Sequence, residues 1–281
     1  MPEWPDLAVT RRRLEGALGG RTLSAAEELQ PLVLRLPVQG PIGRLLAGRH
    51  LARVEHRGKF LTLGFDDGAA LVVNPMLTGV LALGRRADAC IRLEFVGGAV
   101  LDYVDPKRMG KVYYVGPGVP WDGAVPGYAG MGFPAPLEGV SAEDFAAKGR
   151  RRRCEVRNLL LDQGFIAGIG NAYADEILWQ ARLHPKRRVQ DLVDGEWRGL
   201  HQAVRETMAT AVAEVEARLP AELGVKVREH MQVRGRAGTP CPRCGAIIVR
   251  RHLGYLETDF CPRCQTDPSG HFPVPSAGQG W

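Results

Sequence analysis

A chain of 281 residues that is 45% hydrophobic and 24% charged has the balance of a folded globular protein and the length for two cores. No apolar run approaches the ~18–20 residues that span a bilayer, and no charged segment followed by an apolar one opens the sequence, so the reading is cytoplasmic, with no membrane partner. The formal net charge is +6, and between Lys148 and Cys264 there are 21 Lys/Arg against 14 Asp/Glu, leaving 16 and 17 for the remainder. A basic excess confined to the C-terminal part is the footprint of a nucleic-acid binder, or else a solvated basic face.

In chain order, the opening MPEWPDLAV places proline second. Removal of the initiator methionine would leave a secondary amine at Pro2, beside the carboxylate of Glu3. An α-amino group titrates at about 7.7–8.0, so part of it is nucleophilic at neutral pH. Such amines form Schiff bases with carbonyl compounds, and a neighbouring carboxylate can act as acid or base. An ordinary frayed terminus is the competing reading.

Residues 7–18 carry Leu7, Val9, Leu14 and Leu18 at helical spacing. From Arg21 to Val115 the texture turns to short strand-like runs, PLVLRLP, KFLTLGF, AALVVNP, GVLALG, IRLEFV and KVYYVG, which predict an antiparallel sandwich. The Gly/Pro-rich VGPGVPWDGAVPGYAGMGFPAP reads as linker and loop. Helices follow: one capped by Ser141, one over RRRRCEVRNLLLDQG ending at Gly164, then ADEILWQARL and a long one from Asp194. The expected division is a β-sandwich domain over 2–118 with its leading helix, a linker over 119–140, a helical domain over 141–235, a finger over 236–266 and a disordered tail over 267–281.

Six cysteines are present. Cys90 reads as a buried structural thiol and Cys154 stands alone. The other four make two CxxC pairs, Cys241/Cys244 and Cys261/Cys264, the ribbon arrangement that surrounds one structural Zn²⁺ with four thiolates. The intervening GAIIVRRHLGYLETDF forms a hairpin in this reading. Redox dithiols are the alternative, without a thioredoxin-like context to support them. In DQGFIAGIGNAYADEILWQARLHP, Gly164, Gly168 and Gly170 break two helices apart. Glycines there expose backbone N–H groups to an anion, with Asn171 as a further donor, or simply let two helices approach.

Pro2-Glu3, HRGKFLTLGF, DPKRMG, the GIGN segment and the four-cysteine ribbon occur in one chain in this order. Together they resemble the formamidopyrimidine-DNA glycosylase/endonuclease VIII family of base-excision repair enzymes, over roughly residues 2–265. The resemblance implies an α+β multidomain fold: an antiparallel β-sandwich, a helix-two-turn-helix domain and a zinc-ribbon β-hairpin. It implies a bifunctional DNA glycosylase/AP lyase, bacterial-type and nucleoid-associated, acting on double-stranded DNA with a damaged, oxidised base or an abasic site, by β-elimination alone or by β- and then δ-elimination. Nothing in the sequence calls for an oligomer, and the chain reads as a monomer. Pro2 would be the nucleophile, Glu3 the acid and Lys59 an assisting cation. Asn171 and Arg157 would grip phosphate, with Arg151 as a further contact. The iminium ion formed by a secondary amine cannot relax to a neutral imine, which favours β-elimination. The target base must first leave the stack, and an apolar wedge must fill the gap.

Several positions depart from the family pattern. Where the family reads HLGMSG, this chain has Asn74-Pro75-Met76-Leu77-Thr78-Gly79, with Leu77 at the wedge methionine. Where it reads DPRRFG, this chain has Asp105-Pro106-Lys107-Arg108-Met109-Gly110, with Lys107 for the arginine that probes the opposite base and Met109 for the wedge phenylalanine. The second acid of the opening is Asp6. An arginine five residues before the third cysteine is replaced by Leu256, and Arg250 or Arg251 would have to compensate. The segment ahead of the finger is short, which points to the endonuclease VIII side or a divergent branch. The reading from another class is a damage- or structure-specific DNA-binding protein with little turnover. A zinc-ribbon module of translation or topology machinery is a third, and Pro2, Glu3 and Lys59 together count against both.

Overall fold

The computed structural model describes residues 1–30, 33–35, 41–253 and 256–266. The expected tail over 267–281 therefore lies outside the described residues, as do parts of the PLVLRLP run. The chain forms two compact units, Met1–Met131 with Val212–Val227, and Gly132–Ala211 with the chain from Arg228 on. No helix among the described residues is long and apolar enough to cross a membrane.

The first unit opens with α1 (Trp4–Leu18), followed by β1 (Leu23–Glu28), β2 (Leu34–Arg35), α2 (Ile42–Leu46), β3 (Leu51–Arg57), β4 (Phe60–Phe65), β5 (Ala70–Asn74), β6 (Val80–Leu83), β7 (Ala89–Phe95), β8 (Val100–Val104), β9 (Lys111–Val115) and α3 (Trp121–Ala124). The strands make the expected sandwich, one sheet ordered β1-β7-β8-β6 and the other β2-β9-β5-β4-β3. Only the short β2–β9 pairing is parallel within these two sheets. Between the sheets lie Leu61, Leu63, Leu71, Val73, Leu93 and Leu101, joined by Leu14 and Leu18 of α1 and by Val215, Leu219, Leu223 and Val227.

The five-stranded sheet is covered on its other face too. Phe60, Ala70, Val72, Tyr113 and Val115 pack there against Val125 and Tyr128, with Trp121 at the edge. The stretch expected as a plain linker is thus a structured cover, fixed by edge-on contacts of Tyr128 with Phe60 and Trp121. Burial on both faces explains why β4 is buried at all six positions and shows no polar alternation.

The second unit contains β10 (Phe133–Pro134), α4 (Ala142–Gly149), α5 (Val156–Leu161), β11 (Ile166–Ala167), α6 (Asn171–Gln180), the larger part of α7 (Asp194–Arg218), and the hairpin β12 (Val249–Leu253) and β13 (Leu256–Phe260). Ser141 caps α4 as expected, accepting Asp144 N–H at 3.0 Å. α5 is shorter than the sequence suggested. Cys154 and Glu155 are held extended, with Val189 N–H on the Cys154 carbonyl and Val156 N–H on that of Arg187, so the helix begins only at Val156. It ends with Asp162 at its C-cap, two residues before Gly164.

Two adjacent acids of α6 organise this unit. Asp175 is 0% exposed on its side chain and accepts Arg157 Nε at 3.3 Å, Arg234 Nη1 at 2.9 Å, Thr258 Oγ1 at 2.5 Å and Asp259 N–H at 3.0 Å. Glu176 accepts the backbone N–H groups of Gln232, Val233 and Arg234 at 2.8–2.9 Å. Burial pushes both carboxyls above their ordinary range, and these bonds oppose the shift. Asp175→Asn leaves two guanidinium groups without their shared counter-charge. We expect it to cost about 3–5 kcal/mol of unfolding free energy by urea titration, and a loss below about 1 kcal/mol would refute this account of the hub.

Candidate active site and nucleic-acid interface

The N-terminal end is built by the start of α1. Glu3 is its N-cap residue, 3% exposed, and its backbone N–H donates to Asp6 Oδ2 at 2.8 Å. Pro5 lies in the first turn, where a missing N–H costs nothing. Pro2 lines a small open recess with Asp6, Thr10, Pro75, Gly79, Gly224 and Lys226. Lys59 occupies the two-residue turn between β3 and β4, after Gly58 at φ +57°, which lets Arg57 pair directly with Phe60. Burial lowers the pKa of the Lys59 ammonium, and the facing Glu3 carboxylate opposes the shift. The structure therefore brings Glu3 and Lys59 together, with Pro2 next to Glu3 in sequence and on the wall of the recess. His56, against the Trp4 ring at 5.2 Å, is kept neutral by burial and by Arg11 and Arg12, its pKa lowered to about 4.

The wedge positions sit on two loops. Leu77 is 45% exposed in the loop after β5, and Met109 is 42% exposed in the loop after β8, flanked by exposed Lys107 and Arg108. Asp105 joins the loops, accepting Thr78 Oγ1 and, at 2.6 Å, Gly110 N–H.

In the second unit Arg151 is exposed, whereas Arg157 is completely buried. Besides Asp175, it bonds Asn171 Oδ1 at 3.4 Å and the Glu257 carbonyl at 3.1 Å, leaving Nη1 without a hydrogen-bond partner. Gln163 fills the turns between α5 and α6, bonding the Leu161 and Ile169 carbonyls and Gly168 N–H.

The hairpin register separates the two finger arginines. Arg250 pairs with Asp259, and Arg251 with Thr258. Arg250 is committed to Asp259 at 2.7 and 2.9 Å, on the face opposite Leu256. Arg251 shares the face of Leu256, so it alone of the two is placed to stand in for the replaced arginine.

The four finger sulfurs lie within 4.8 Å of one another, Cys241–Cys264 at 4.0 Å and Cys244–Cys261 at 3.4 Å. Tetrahedral Zn–S bonds of about 2.3 Å require S···S separations of about 3.8 Å, so the residues fit one structural zinc ion. Burial opposes ionisation of Cys241, but the Trp179 indole N–H at 3.4 Å and nearby backbone N–H groups outweigh it and bring its thiol down to about 6. Arg243 stacks on the same indole, 4.0 Å from its centroid.

Three family models match this chain. They are the formamidopyrimidine-DNA glycosylase N-terminal domain over residues 1–112, the formamidopyrimidine-DNA glycosylase H2TH domain over 132–219, and the zinc finger found in FPG and IleRS over 238–266. The formamidopyrimidine-DNA glycosylase of Pelotomaculum thermopropionicum is 33% identical, with 94% of this chain covering 99% of that one. That of Thermus thermophilus is 35% identical, over 94% and 98%. The chain belongs to the formamidopyrimidine-DNA glycosylase family. Among solved structures, the MutM (Fpg) protein of Thermus thermophilus superposes with a TM-score of 0.83 at 33% identity, covering 94% of this chain and 98% of that one. A Lactococcus lactis Fpg complex with abasic-site DNA gives 0.83 at 26%, over 94% and 100%. The leaning toward endonuclease VIII, taken from the short segment before the finger, finds no support in these relatives. Its zinc fits the family finger.

Sequence reasoning passed over Thr78, Asp105, Trp179, the Asp175-Glu176 pair and Arg234. Only the acid pair left a signal, two consecutive carboxylates inside an otherwise apolar helix. Two outcomes follow. Zinc removal by a chelator is expected to release the amides of residues 241–265 to solvent exchange while those of β4 and β5 keep their protection, and equal loss in both would refute a purely local zinc role. Below pH 6.5 the unfolded chain protonates His56 while the folded one refuses until about pH 4. Stability is therefore lost as pH falls through that window, by up to about 3 kcal/mol. His56→Gln should flatten thermal denaturation curves recorded between pH 4 and 7, and an unchanged slope would rule the cause out.

Proposed function

We propose that Pro2, Glu3 and Lys59 are the reacting groups of a bifunctional DNA glycosylase/AP lyase of base-excision repair, acting on double-stranded DNA that carries a damaged base or an abasic site. The observation that carries this reading is Glu3, buried at the head of α1, electrostatically coupled to the half-buried Lys59 while Pro2 borders a recess. In this structure the Pro2 nitrogen belongs to the Met1–Pro2 peptide bond, so activity requires removal of Met1.

The freed secondary amine attacks C1′, and the bond to the base breaks with the electron pair leaving on the base. The Glu3 carboxylate takes up the proton lost from the Pro2 nitrogen and delivers it to the sugar oxygen as the ring opens, giving an iminium ion between Pro2 and C1′. Loss of a proton from C2′ then expels the 3′ phosphate, which is β-elimination, and water releases Pro2. The Lys59 ammonium beside Glu3 favours the charged carboxylate before attack and the amine over its protonated form. Leu77 and Met109 fill the vacated stack, with Lys107 and Arg108 toward the opposite strand. Asn171, Arg151 and Arg251 serve phosphate contacts; Arg157, buried to its last nitrogen, backs Asn171 instead of reaching phosphate, and Arg250 is held by Asp259. A monomer associated with the nucleoid completes the proposal.

Leu256 is the observation that favours the second reading, a damage-specific DNA binder with weak turnover, because it is an exposed apolar side chain where the family pattern has arginine. Borohydride trapping on an abasic-site duplex separates the two. Met1-processed protein is expected to give a covalent complex that Pro2→Gly abolishes, with Glu3→Gln lowering base excision by at least about 10²-fold and sparing binding. Tight binding with no trapped complex would overturn the catalytic reading.

A further inference from the structure

The loops that carry Leu77 and Met109 are held by one buried side chain. Asp105 is 1% exposed, and its two carboxylate oxygens are divided between the loops, Oδ1 taking the Thr78 hydroxyl and Oδ2 the Gly110 N–H at 2.6 Å. Its own carbonyl accepts Arg108 N–H at 2.9 Å. Beneath them the phenol of Tyr103 is wedged so closely that a Cβ on Gly79 would lie 2.2 Å, and on Gly110 1.7 Å, from its oxygen. Both loops contain a non-glycine residue in the left-handed region, Met76 at φ +48° and Arg108 at φ +51°. Such backbone persists only where its surroundings over-determine it. The first loop is tied twice more, by Asn74 Oδ1 to Met76 N–H at 3.2 Å and by Lys226 Nζ on the Leu77 carbonyl at 2.6 Å.

We infer that Asp105, through Thr78 and Gly110, is a positioning residue that presets Leu77 and Met109 as a single rigid wedge. The inference rests on the wedge role proposed above. A wedge that must replace a stacked base gains nothing from exposure alone, because two independent loops would have to be ordered at the moment of insertion. With both oxygens of one carboxylate shared between them, the loops move together, and the two apolar side chains are presented at a fixed separation before DNA arrives. The clamp matters where a base has to be driven out of the stack. It matters little where the stack is already interrupted, as at an abasic site.

The experiment uses two duplexes with 2-aminopurine beside the target, one carrying a formamidopyrimidine lesion and the other an abasic site. Thr78→Ala removes only a hydroxyl and keeps the loop length, and Asp105→Asn removes the charge. Both are expected to slow the fluorescence rise on the lesion duplex, Thr78→Ala about tenfold and Asp105→Asn more, while strand cleavage on the abasic duplex changes less than twofold. Leu77→Ala and Met109→Ala, run alongside, test the wedge itself. If these two leave the fluorescence rise unchanged, the wedge reading fails and the inference with it. If they slow it while Thr78→Ala and Asp105→Asn do not, the clamp alone is overturned. Equal slowing on both duplexes by Thr78→Ala would mark a general structural defect and overturn the positioning role. A wild type that leaves the lesion duplex uncut would overturn the base-excision reading beneath it.

Discussion

A buried carboxylate that collects hydrogen bonds from loop backbone is the interaction on which this molecule is built, and it recurs wherever a functional segment must be fixed. Asp6 fastens the head of α1, Asp105 gathers two loops, and Asp175 and Glu176 hold the finger and the segment leading into it. Each acid loses hydration on burial, and charge-assisted bonds of about 1.5–3 kcal/mol apiece offset that loss only when nearly every lone pair is used. Glu176 meets that condition with three backbone donors, and Asp175 with two guanidinium groups, a hydroxyl and an amide. Such a site tolerates little drift, because a displaced loop would leave a charge stranded in the interior.

The sandwich and the metal ribbon were legible because their signals are local. Short apolar runs bounded by turn residues mark β4 to β7 and β9, and two CxxC pairs bring their own spacing. Other elements were hidden for identifiable reasons. β1 and β3 are rich in exposed polar and charged residues, so their apolar content is too thin to read as strand. The cover formed by Trp121, Val125 and Tyr128 lies in a stretch dominated by glycine and proline, where contacts made with β4 and β9 leave no periodicity of their own. α5 begins late because Cys154 and Glu155 are paired with a segment more than thirty residues away.

The candidate site divides along the same line. Pro2, Glu3 and Lys59 were found as residue types in a recognised order, and the metal ligands by count. What the order of residues could not convey was commitment to a partner. Arg157 and Arg250 look alike in the sequence, as basic residues available to phosphate, yet one is interred against Asp175 and the other spends its donors on Asp259. Arg251 is distinguished from its neighbour solely by the parity of a strand. The arrangement around Thr78 and Asp105 depends on residues 27 positions apart meeting at one carboxylate.

The return of Val212–Val227 to the first unit has a consequence for how this chain can be divided. Val215, Leu219, Leu223 and Val227 complete the interior shared with Leu14, Leu18 and the sandwich strands, and Glu216 takes the charges of Arg12 and Arg13 on α1. A fragment stopping at Met131 would expose that apolar interior, and a fragment starting at Gly132 would carry an apolar helix end with nothing to cover it. The two units are interleaved along the chain, so recombination between relatives at a single crossover near residue 131 would leave neither of them whole.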